Sequence, residues 1–265
     1  MESPQQHNRR AWDKRVRSKG WYVDTATEKD FQNPLAVVDQ CGWLGGSVVG
    51  KRLLCLAAGG GRHSVLFATA GAEVTVVDLS PAALELDYKI ARERKLDIRI
   101  VEASMDNLAP LAEASFDVVI QPVSACYVPD ISAVYREAAR VIRPGGIYIS
   151  QHKQPVSAQA SALPAAQGYT LAEPYYRSGP LPPAGEGFWH RESGALEFLH
   201  RWDQLLGGLC RAGFSIEDAA EPRHGDLGAA PGSFAHRSAY APPYIKLKAR
   251  RHLEAEKSSR IWIPS

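Results

Sequence analysis

A glycine-rich turn between two short apolar runs constrains this chain more than any other feature. Residues 52–56 are mostly apolar and lead into three consecutive glycines, 59–61. A helical pattern follows, and a second apolar run, 74–77, ends on Asp78. Glycines let a ligand approach the backbone closely, and a helix after the turn points free N–H groups at it. The segment therefore predicts a pocket for a nucleotide-like ligand, in which Asp78 accepts hydrogen bonds from a ribose diol.

The spacing of the glycines distinguishes among the ligands. A dinucleotide fingerprint needs G-x-G-x-x-G, but in register with Gly59 the other two positions hold Ala57 and Arg62. A phosphate-binding loop needs G-x-x-x-x-G-K-[ST], which the sequence lacks. What remains is G-x-G at Gly59 and Gly61, followed by an acid at the end of the next apolar run. This pattern argues against a nicotinamide dehydrogenase.

Three further stretches, taken with the glycine turn, resemble the class I S-adenosylmethionine-dependent methyltransferases, in particular the type 11 kind. They are Glu102 to Asp106, Ser115 to Val119 and the Ile-Arg-Pro-Gly-Gly sequence of 142–146. The resemblance covers roughly 51–152 well and the flanks loosely. Two positions depart from the family pattern. Ala57 stands where glycine is usual, and Cys55 stands where an acid often helps to hold the methionine amino group.

The order of predicted elements is that of a doubly wound α/β fold. Strands are expected near 52–57, 74–78, 97–101, 116–121, 147–152, 214–219 and 244–249, and helices near 8–22, 62–70, 80–95, 131–142 and 196–212. The family resemblance implies a Rossmann-like, mostly parallel seven-stranded sheet with helices on both faces and an antiparallel last strand. Ligands of such sheets bind beyond the carboxyl ends of the strands.

Composition and resemblance together predict five parts. They are an N-terminal helical cap (1–50), an S-adenosylmethionine-binding core (51–153), a lid over the acceptor pocket (154–195), a C-terminal completion of the core (196–250) and a tail (251–265). The lid is predicted because 154–190 is rich in Pro, Gly, Ala and Ser but carries scattered aromatic residues. A long irregular segment in a compact domain is usually functional or disordered. Trp12 and Trp21 of the cap are expected to cover the cofactor.

The resemblance implies nine residues that contact S-adenosylmethionine, all on the rim formed by the carboxyl ends of the strands. They are Ala57, Gly59, Gly61, Asp78, Leu79, Ser104, Met105, Asp106 and Gln121. The two glycines would let the backbone approach the methionine portion, and Asp78 would bind the ribose. Leu79 and Met105 would enclose the adenine.

Three residues are candidates for the transfer step. Methyl transfer from a sulfonium is an in-line displacement, and positioning and desolvation can supply much of its acceleration. Tyr127 could shape the transfer slot or simply pack on the next helix. His152 could take an acceptor proton, since its ordinary pKa is near neutrality, or be a hydrogen-bonded rim residue. Lys153 could bind an acidic substrate or be solvated.

Bulk properties narrow the expected partners. The formal net charge of +2 is too balanced to predict nucleic-acid binding. The sequence has no apolar run of about 18 residues and no signal-peptide pattern, which favours a cytoplasmic protein without a membrane span. The four cysteines lack C-x-x-C spacing, so reduced thiols and no metal site are expected.

The sequence thus predicts methyl transfer from S-adenosylmethionine to a small, partly apolar molecule. The acceptor atom could be oxygen, nitrogen, sulfur or carbon, because this fold serves all four. Cys55 and Ala57 leave a second hypothesis open, namely a catalytically degenerate methyltransferase fold that binds the cofactor or serves as a partner subunit.

Overall fold

The computed structural model describes residues 2–18, 20, 24–185 and 190–253. Seven strands within this part form one sheet: β1 (Arg52–Leu56), β2 (Glu73–Asp78), β3 (Ile98–Glu102), β4 (Phe116–Gln121), β5 (Ile142–Lys153), β6 (Phe214–Ala220) and β7 (Tyr244–Arg251). Their order is β3-β2-β1-β4-β5-β7-β6. The first five are parallel, and β7 runs antiparallel to both of its neighbours. The predicted doubly wound sheet and its antiparallel last strand are confirmed.

Helices cover the sheet on both faces. The described helices are α1 (Pro4–Arg17), α2 (Glu28–Gln32), α3 (Pro34–Val38), α4 (His63–Thr69), α5 (Pro81–Arg94), α6 (Ile131–Val141), α7 (Pro155–Gln159), α8 (Trp202–Arg211) and α9 (Phe234–Tyr240). None of them has the length and apolar composition that a bilayer span requires.

Strand β1 shows why the sheet needs cover on both sides. Leu53 and Cys55 belong to an apolar cluster with Phe67 of α4, whereas Leu54 and Leu56 belong to a cluster on the opposite face. All four side chains of the strand are fully buried. This is the pattern of a central parallel strand. Burying a side chain of the size of Phe67 contributes about 1.5–3 kcal/mol.

The boundaries of α1, β5 and α8 differ most from the predictions, and α8 begins at Trp202, six residues after the predicted start at 196. Helix α1 begins at Pro4 because Ser3 and Gln6 form a capping box at its start, and it ends at Arg17. Strand β5 begins at Ile142, five residues before the predicted start, and includes the Arg-Pro-Gly-Gly sequence. The residue before a proline avoids helical backbone, so the chain is already extended when it reaches Pro144. Of the predicted N-terminal helix, Trp21 and Tyr22 lie outside the described residues.

The segment that follows β5 is mostly irregular. It contains α7 and two isolated bridges, Ala160 with Leu171 and Ala165 with Gly168. Its backbone joins the rest of the molecule where the Leu181 N–H donates to the Glu197 carbonyl at 2.7 Å. Two of the aromatic residues that suggested a lid, Phe188 and Trp189, lie outside the described residues, as do 254–265 of the predicted tail. The five-part division stays a prediction.

Candidate active site

A cavity of about 580 Å³, the main cavity, opens at the carboxyl ends of the parallel strands. It lies where the strand order reverses, between β1 and β4, which is where doubly wound sheets bind ligands. Seven of the twelve predicted site residues line it: Ala57, Gly59, Asp78, Leu79, Ser104, Met105 and Tyr127. The other five do not: Gly61, Asp106, Gln121, His152 and Lys153.

The glycine turn presents its backbone to this cavity. Gly60 and Gly61 have φ values of 125° and 70°, which other residues rarely adopt. A Cβ atom on Gly59 would lie 2.9 Å from the Cβ of Asp78, and one on Gly61 would lie 2.6 Å from Cδ1 of Ile90. The turn therefore packs against β2 and α5 at distances that only glycine allows. Gly61 supports the turn in this way without facing the cavity.

Of the two positions that depart from the family pattern, one faces the main cavity and the other faces the core. Ala57 lines the cavity with φ 49°, so it keeps the left-handed conformation that a glycine would take. For alanine this costs about 1–2 kcal/mol. Cys55 is fully buried in the apolar core. No polar side chain therefore reaches the cavity from the position where an acid is usual.

Asp78 is held at the mouth of the turn by backbone donors. Its carboxylate accepts from the Gly59 N–H at 2.9 Å and from the Ser80 N–H at 2.9 Å. Burial raises the pKa of Asp78, and the same N–H groups partly oppose that rise. Ser80 also caps α5, since its hydroxyl accepts from the Ala83 N–H. Backbone and cap thus fix the carboxylate at the end of β2, beside the turn.

A second carboxylate, Asp87, supports the turn from behind and was not predicted from the sequence. It accepts from the Gly60 N–H at 2.8 Å and from the Ser64 hydroxyl. Burial raises its pKa from 3.8 to about 6. The available signal was an acid on the buried face of α5, between Leu84 and Ala91. An acid in an apolar helix stripe needs hydrogen-bond donors, and the free N–H groups of a glycine turn are such donors.

The end of the cavity beside β3 is part apolar and part polar. Leu79, Met105 and Ser104 line it. Asp106 lies outside, because its carboxylate accepts from the Ser104 hydroxyl and from Gln5 Nε2, the latter at 2.9 Å. Its expected contact with the cofactor is therefore not direct in this arrangement.

Helix α1 roofs the main cavity with Gln5, Asn8, Trp12 and Val16. Asn8 is buried, and its amide nitrogen donates to the Tyr127 carbonyl at 2.9 Å and to the Leu196 carbonyl at 3.0 Å. Its amide oxygen accepts from the Leu196 N–H at 2.7 Å. Three hydrogen bonds thus fasten the roof at one side. The sequence shows only an asparagine within a polar helix, and its hydrogen-bond partners are more than 100 residues away.

The other side of the roof is fastened to the start of α5. Asp13 accepts from the Ser80 hydroxyl at 2.6 Å and from the Ala82 N–H at 3.1 Å. Between the two attachments, the Trp12 ring meets the Tyr127 ring edge-on at 5.4 Å. Trp12 therefore lies over the cavity, as predicted for a covering residue. Trp21 lies outside the described residues.

Tyr127 joins the roof to the opposite wall. It ends a short 3₁₀ turn (Ala125–Tyr127) and is buried. Burial and the nearby carboxylate of Glu192 raise its pKa well above the ordinary value, so the phenol stays protonated. Its ring lies near the carboxylate of Glu192, another residue of the cavity wall. Tyr127 is thus a neutral donor beside an acceptor carboxylate.

Lys153 lies behind this wall and cannot bind an acidic substrate in the predicted way. Its ammonium is buried 2.6 Å from a Glu192 oxygen and 2.8 Å from a Glu197 oxygen. Burial alone would lower the pKa of Lys153, but these carboxylates more than offset it and raise the pKa well above its ordinary value. Arg191 lies 3.5 Å from Glu197 and completes the cluster. We call Lys153, Glu192, Glu197 and Arg191 the lysine cluster.

His152 is also turned away from the cavity. Its Nε2 lies 2.8 Å from the Ser150 hydroxyl and 3.4 Å from the Tyr135 hydroxyl, inside the core beneath α6. Burial lowers its pKa to about 3. Successive side chains of a strand point to opposite faces, so the preceding residue, Gln151, faces the cavity instead. From this position His152 cannot reach an acceptor proton.

The amide of Gln121 makes hydrogen bonds within the protein at the end of β4. Its amide nitrogen donates to the Ser124 hydroxyl at 2.9 Å and approaches the Met105 sulfur at 3.3 Å. The Tyr148 hydroxyl donates to its amide oxygen. Gln121 therefore positions Met105 and the loop after β4, rather than lining the main cavity.

No group of three or more His, Cys, Asp or Glu side chains within the described part of the chain is arranged to hold a metal ion. The charged groups that line the main cavity are three carboxylates, Asp24, Asp78 and Glu192, and the Arg62 guanidinium, and they stand among neutral donors and backbone N–H groups. This donor set suits an organic ligand with hydroxyl groups and a positive charge.

Comparisons with known proteins agree with the fold. Residues 54–150 match a family described as a methyltransferase domain. The chain is 31% identical over 233 residues to the uncharacterized methyltransferase YbaJ of Bacillus subtilis, which covers 83% of this chain and 91% of that protein. It is 35% identical over 129 residues to a ubiquinone biosynthesis O-methyltransferase of Alkalilimnicola ehrlichii, covering 47% of this chain and 51% of that protein.

A solved structure shows the same architecture. The S-adenosylmethionine-dependent methyltransferase from Mesorhizobium loti superposes with a TM-score of 0.66 over 83% of this chain and 100% of that chain. The two sequences are 22% identical, so this likeness concerns the fold.

Proposed function

Because this chain belongs to the S-adenosylmethionine-dependent methyltransferases, we propose that it transfers a methyl group from that cofactor to a small-molecule acceptor inside the main cavity. One observation carries the proposal. A single roofed cavity runs from the glycine turn and Asp78 at one end to Tyr127 and Glu192 at the other. Donor and acceptor would therefore share one enclosed space.

The residues at the glycine-turn end fit the cofactor. The turn lacks side chains where a ligand would approach the backbone, Asp78 offers a carboxylate to ribose hydroxyls, and Leu79 and Met105 offer apolar surface to a flat base. When bound there, S-adenosylmethionine supplies an electrophilic methyl group on a sulfonium sulfur. Ala57 keeps the left-handed backbone of the turn. This supports an active enzyme over a degenerate one.

The other end of the cavity suits the acceptor. Tyr127, Gln151, Glu192 and Tyr244 line it beyond the ends of β4 and β5. Tyr127 can donate a hydrogen bond to an acceptor atom and orient it. Helix α1, fastened on both sides, covers this space and leaves room for a small molecule rather than a polymer. Orientation and desolvation are the contributions that this reaction needs most.

Calorimetric titration tests the cofactor assignment. Wild-type protein, Asp78→Asn and Asp97→Asn are each titrated with S-adenosylmethionine and with S-adenosylhomocysteine. Loss of the charge-assisted bonds should weaken both ligands at Asp78→Asn by about 2–4 kcal/mol, roughly 30- to 1,000-fold. Asp97 is an exposed acid before β3 and should change nothing. Equal binding by wild type and Asp78→Asn would refute the assignment.

A turnover assay tests the enzyme assignment. Formation of S-adenosylhomocysteine is followed with a panel of small phenols, alcohols, amines and thiols. Acceptor-dependent formation supports a methyltransferase. Tight cofactor binding without turnover across the panel would instead favour the cofactor-binding protein that the substitutions at Cys55 and Ala57 first suggested.

A further inference from the structure

A second cavity of about 210 Å³, the side cavity, adjoins the main cavity. Four residues line both and form their common wall: Arg62, His63, Pro122 and Gln151. The side cavity lies on the α3–α4 side of the ends of β4 and β5, with Ile149 and Lys246 among its other walls. It is smaller than the roughly 300–1,000 Å³ of a whole ligand site, so it suits part of a ligand.

His63 is an available proton acceptor in the common wall. Within the described residues, neither of its ring nitrogens has a hydrogen-bond partner, whereas His152 and His200 are engaged by Ser150 and by the Ala125 carbonyl. Burial, and then the positive charges of Arg62 and Lys246, lower its pKa to about 4. The imidazole is therefore neutral at pH 7 and carries one free lone pair.

Lys246 is an available cation in the same cavity. It pairs in register with Gln151 across β5 and β7. Its ammonium lies 3.4 Å from the Gln40 amide oxygen, and no described carboxylate is within ion-pairing distance of it. A cation on a cavity wall without a carboxylate partner is suited to bind an anionic ligand group.

The other charged groups around these cavities are already engaged or lie elsewhere. Arg62 pairs with Asp30 at 3.1 Å. Asp39, in the side cavity, accepts from the Trp43 and Leu44 N–H groups, both at 2.9 Å. Asp24 lines only the main cavity. The Lys246 ammonium is thus the charged group that is available to an acceptor in the side cavity.

Building on the proposed function, we propose that the acceptor is a small hydroxy acid. Its carboxylate lies in the side cavity against Lys246, and His63 removes the proton from its hydroxyl group at the common wall. The acceptor O–H bond breaks and the proton moves to the free ring nitrogen of His63. The oxygen bonds to the methyl carbon while the carbon–sulfur bond breaks, and that electron pair stays on sulfur. His63 later releases its proton to solvent.

The two residues act together. A carboxylate beside Lys246 offsets one of the positive charges that lower the pKa of His63. The bound acceptor therefore shifts the pKa of its own base toward neutrality, where a general base is most effective. Neutral phenols would lack both the ion pair and this shift.

The binding test uses protein saturated with S-adenosylhomocysteine. Hydroxybenzoates and small aliphatic hydroxy acids are titrated by calorimetry, each beside its neutral counterpart without the carboxylate. Wild type should prefer at least one acid at least tenfold over its counterpart. Lys246→Gln should reduce that preference to below about twofold and leave S-adenosylhomocysteine binding intact. Lys89→Gln, an exposed lysine on α5, should behave as wild type.

NMR titration of the His63 ring gives a readout that does not depend on turnover. Binding of the preferred acid should raise the pKa of His63 by at least one unit in wild type and leave it unchanged in Lys246→Gln. With that acid, His63→Gln should bind normally and lower kcat by about 100- to 10,000-fold. Lys246→Gln should mainly raise KM.

The outcomes separate the two proposals. Failure of wild type to bind S-adenosylhomocysteine would overturn the proposed function itself. Normal cofactor binding with no preference for any acid, or an acid preference that survives Lys246→Gln, would overturn the side-cavity assignment alone. A kcat unchanged by His63→Gln would overturn the role of His63 as base.

Discussion

The two ends of the main cavity hold their buried charges in different ways. At the glycine-turn end, Asp78 and Asp87 accept N–H groups of a turn that lies 19 and 27 residues earlier in the chain. At the other end, Lys153 is held by Glu192 and Glu197, which lie 39 and 44 residues later and beyond an irregular segment. Backbone dipoles stabilise the buried charges at the glycine-turn end, and opposite charges stabilise them at the other end.

The difference predicts how each end responds to substitution. Replacing a carboxylate at the glycine-turn end leaves backbone N–H groups, which water or a neutral amide can still satisfy. The expected cost is about 1–3 kcal/mol. A buried ion that loses its counter-ion remains charged in a low-dielectric interior, at a cost of about 3–5 kcal/mol. The lysine cluster should therefore be the more fragile of the two.

The largest effect is expected for Lys153→Met. This substitution leaves Glu192 and Glu197 unpaired and close together, so the free energy of unfolding in urea at pH 8 should fall by about 3–5 kcal/mol. The loss should shrink at pH 5, where a carboxylate can take up a proton. Lys89→Met, on an exposed face, is the control and should stay within about 0.5 kcal/mol. A loss below 1 kcal/mol for Lys153→Met would remove the contrast between the two ends.

The pH dependence of stability probes the glycine-turn end. The pKa of Asp87 is about 6 in the folded chain and 3.8 ordinarily. Its favourable contribution is therefore complete below pH 3.8 and disappears as the pH rises to about 6. Relative to Asp87→Asn, wild type should lose about 2.5 kcal/mol of unfolding free energy between pH 4 and pH 7. Parallel curves for wild type and Asp87→Asn would contradict this; Asp97→Asn is the exposed control.

Asn8→Ala tests the roof that connects the two ends. Removing its three hydrogen bonds leaves the Tyr127 and Leu196 backbone groups without their partner, so the free energy of local opening of α1 should fall by about 2 kcal/mol. Hydrogen exchange of the α1 amides measures it. Lys14→Ala, an exposed site on the same helix, should leave the exchange rates unchanged. Equal protection in both variants would show that packing of Trp12, and not Asn8, holds the roof.

The smallest effect is expected for Ala57→Gly. Relief of the left-handed backbone gains about 1–2 kcal/mol, and the greater freedom of glycine in the unfolded chain offsets about 0.4–1 kcal/mol of it. A net gain of about 0.5 kcal/mol should appear in thermal unfolding. Ala114→Gly is a matched control, because Ala114 has φ 50° at an exposed loop position. If only the control gained stability, contacts of the Ala57 methyl group would outweigh its backbone strain.

Much of the glycine-turn end could be predicted from the sequence. The turn, the acid at the end of β2 and the Ser80 cap act over a few residues, and each leaves a local pattern. Asp87 was missed because a single acid in a helix is usually solvated, and only the contact between α5 and the turn shows its donors. At the other end, Tyr127 follows a predicted strand and lines the cavity, but Glu192 has no local pattern that distinguishes it from a surface acid.

Local patterns in the sequence were enough to predict the order of the strands and of the longer helices, the parallel sheet and the glycine turn at its edge, because strand periodicity and turn chemistry are local properties. Which side chains at the end of β5 face the cavity depends on the folded chain. The strand continues to Lys153, so its alternation turns Gln151 toward the main cavity and His152 into the core. Two distant glutamates then form ion pairs with Lys153. The folded chain also brings His63, beside the turn, and Lys246, near the end of the chain, to one cavity. Long-range packing brings such distant residues together, and no short segment of the sequence encodes their proximity.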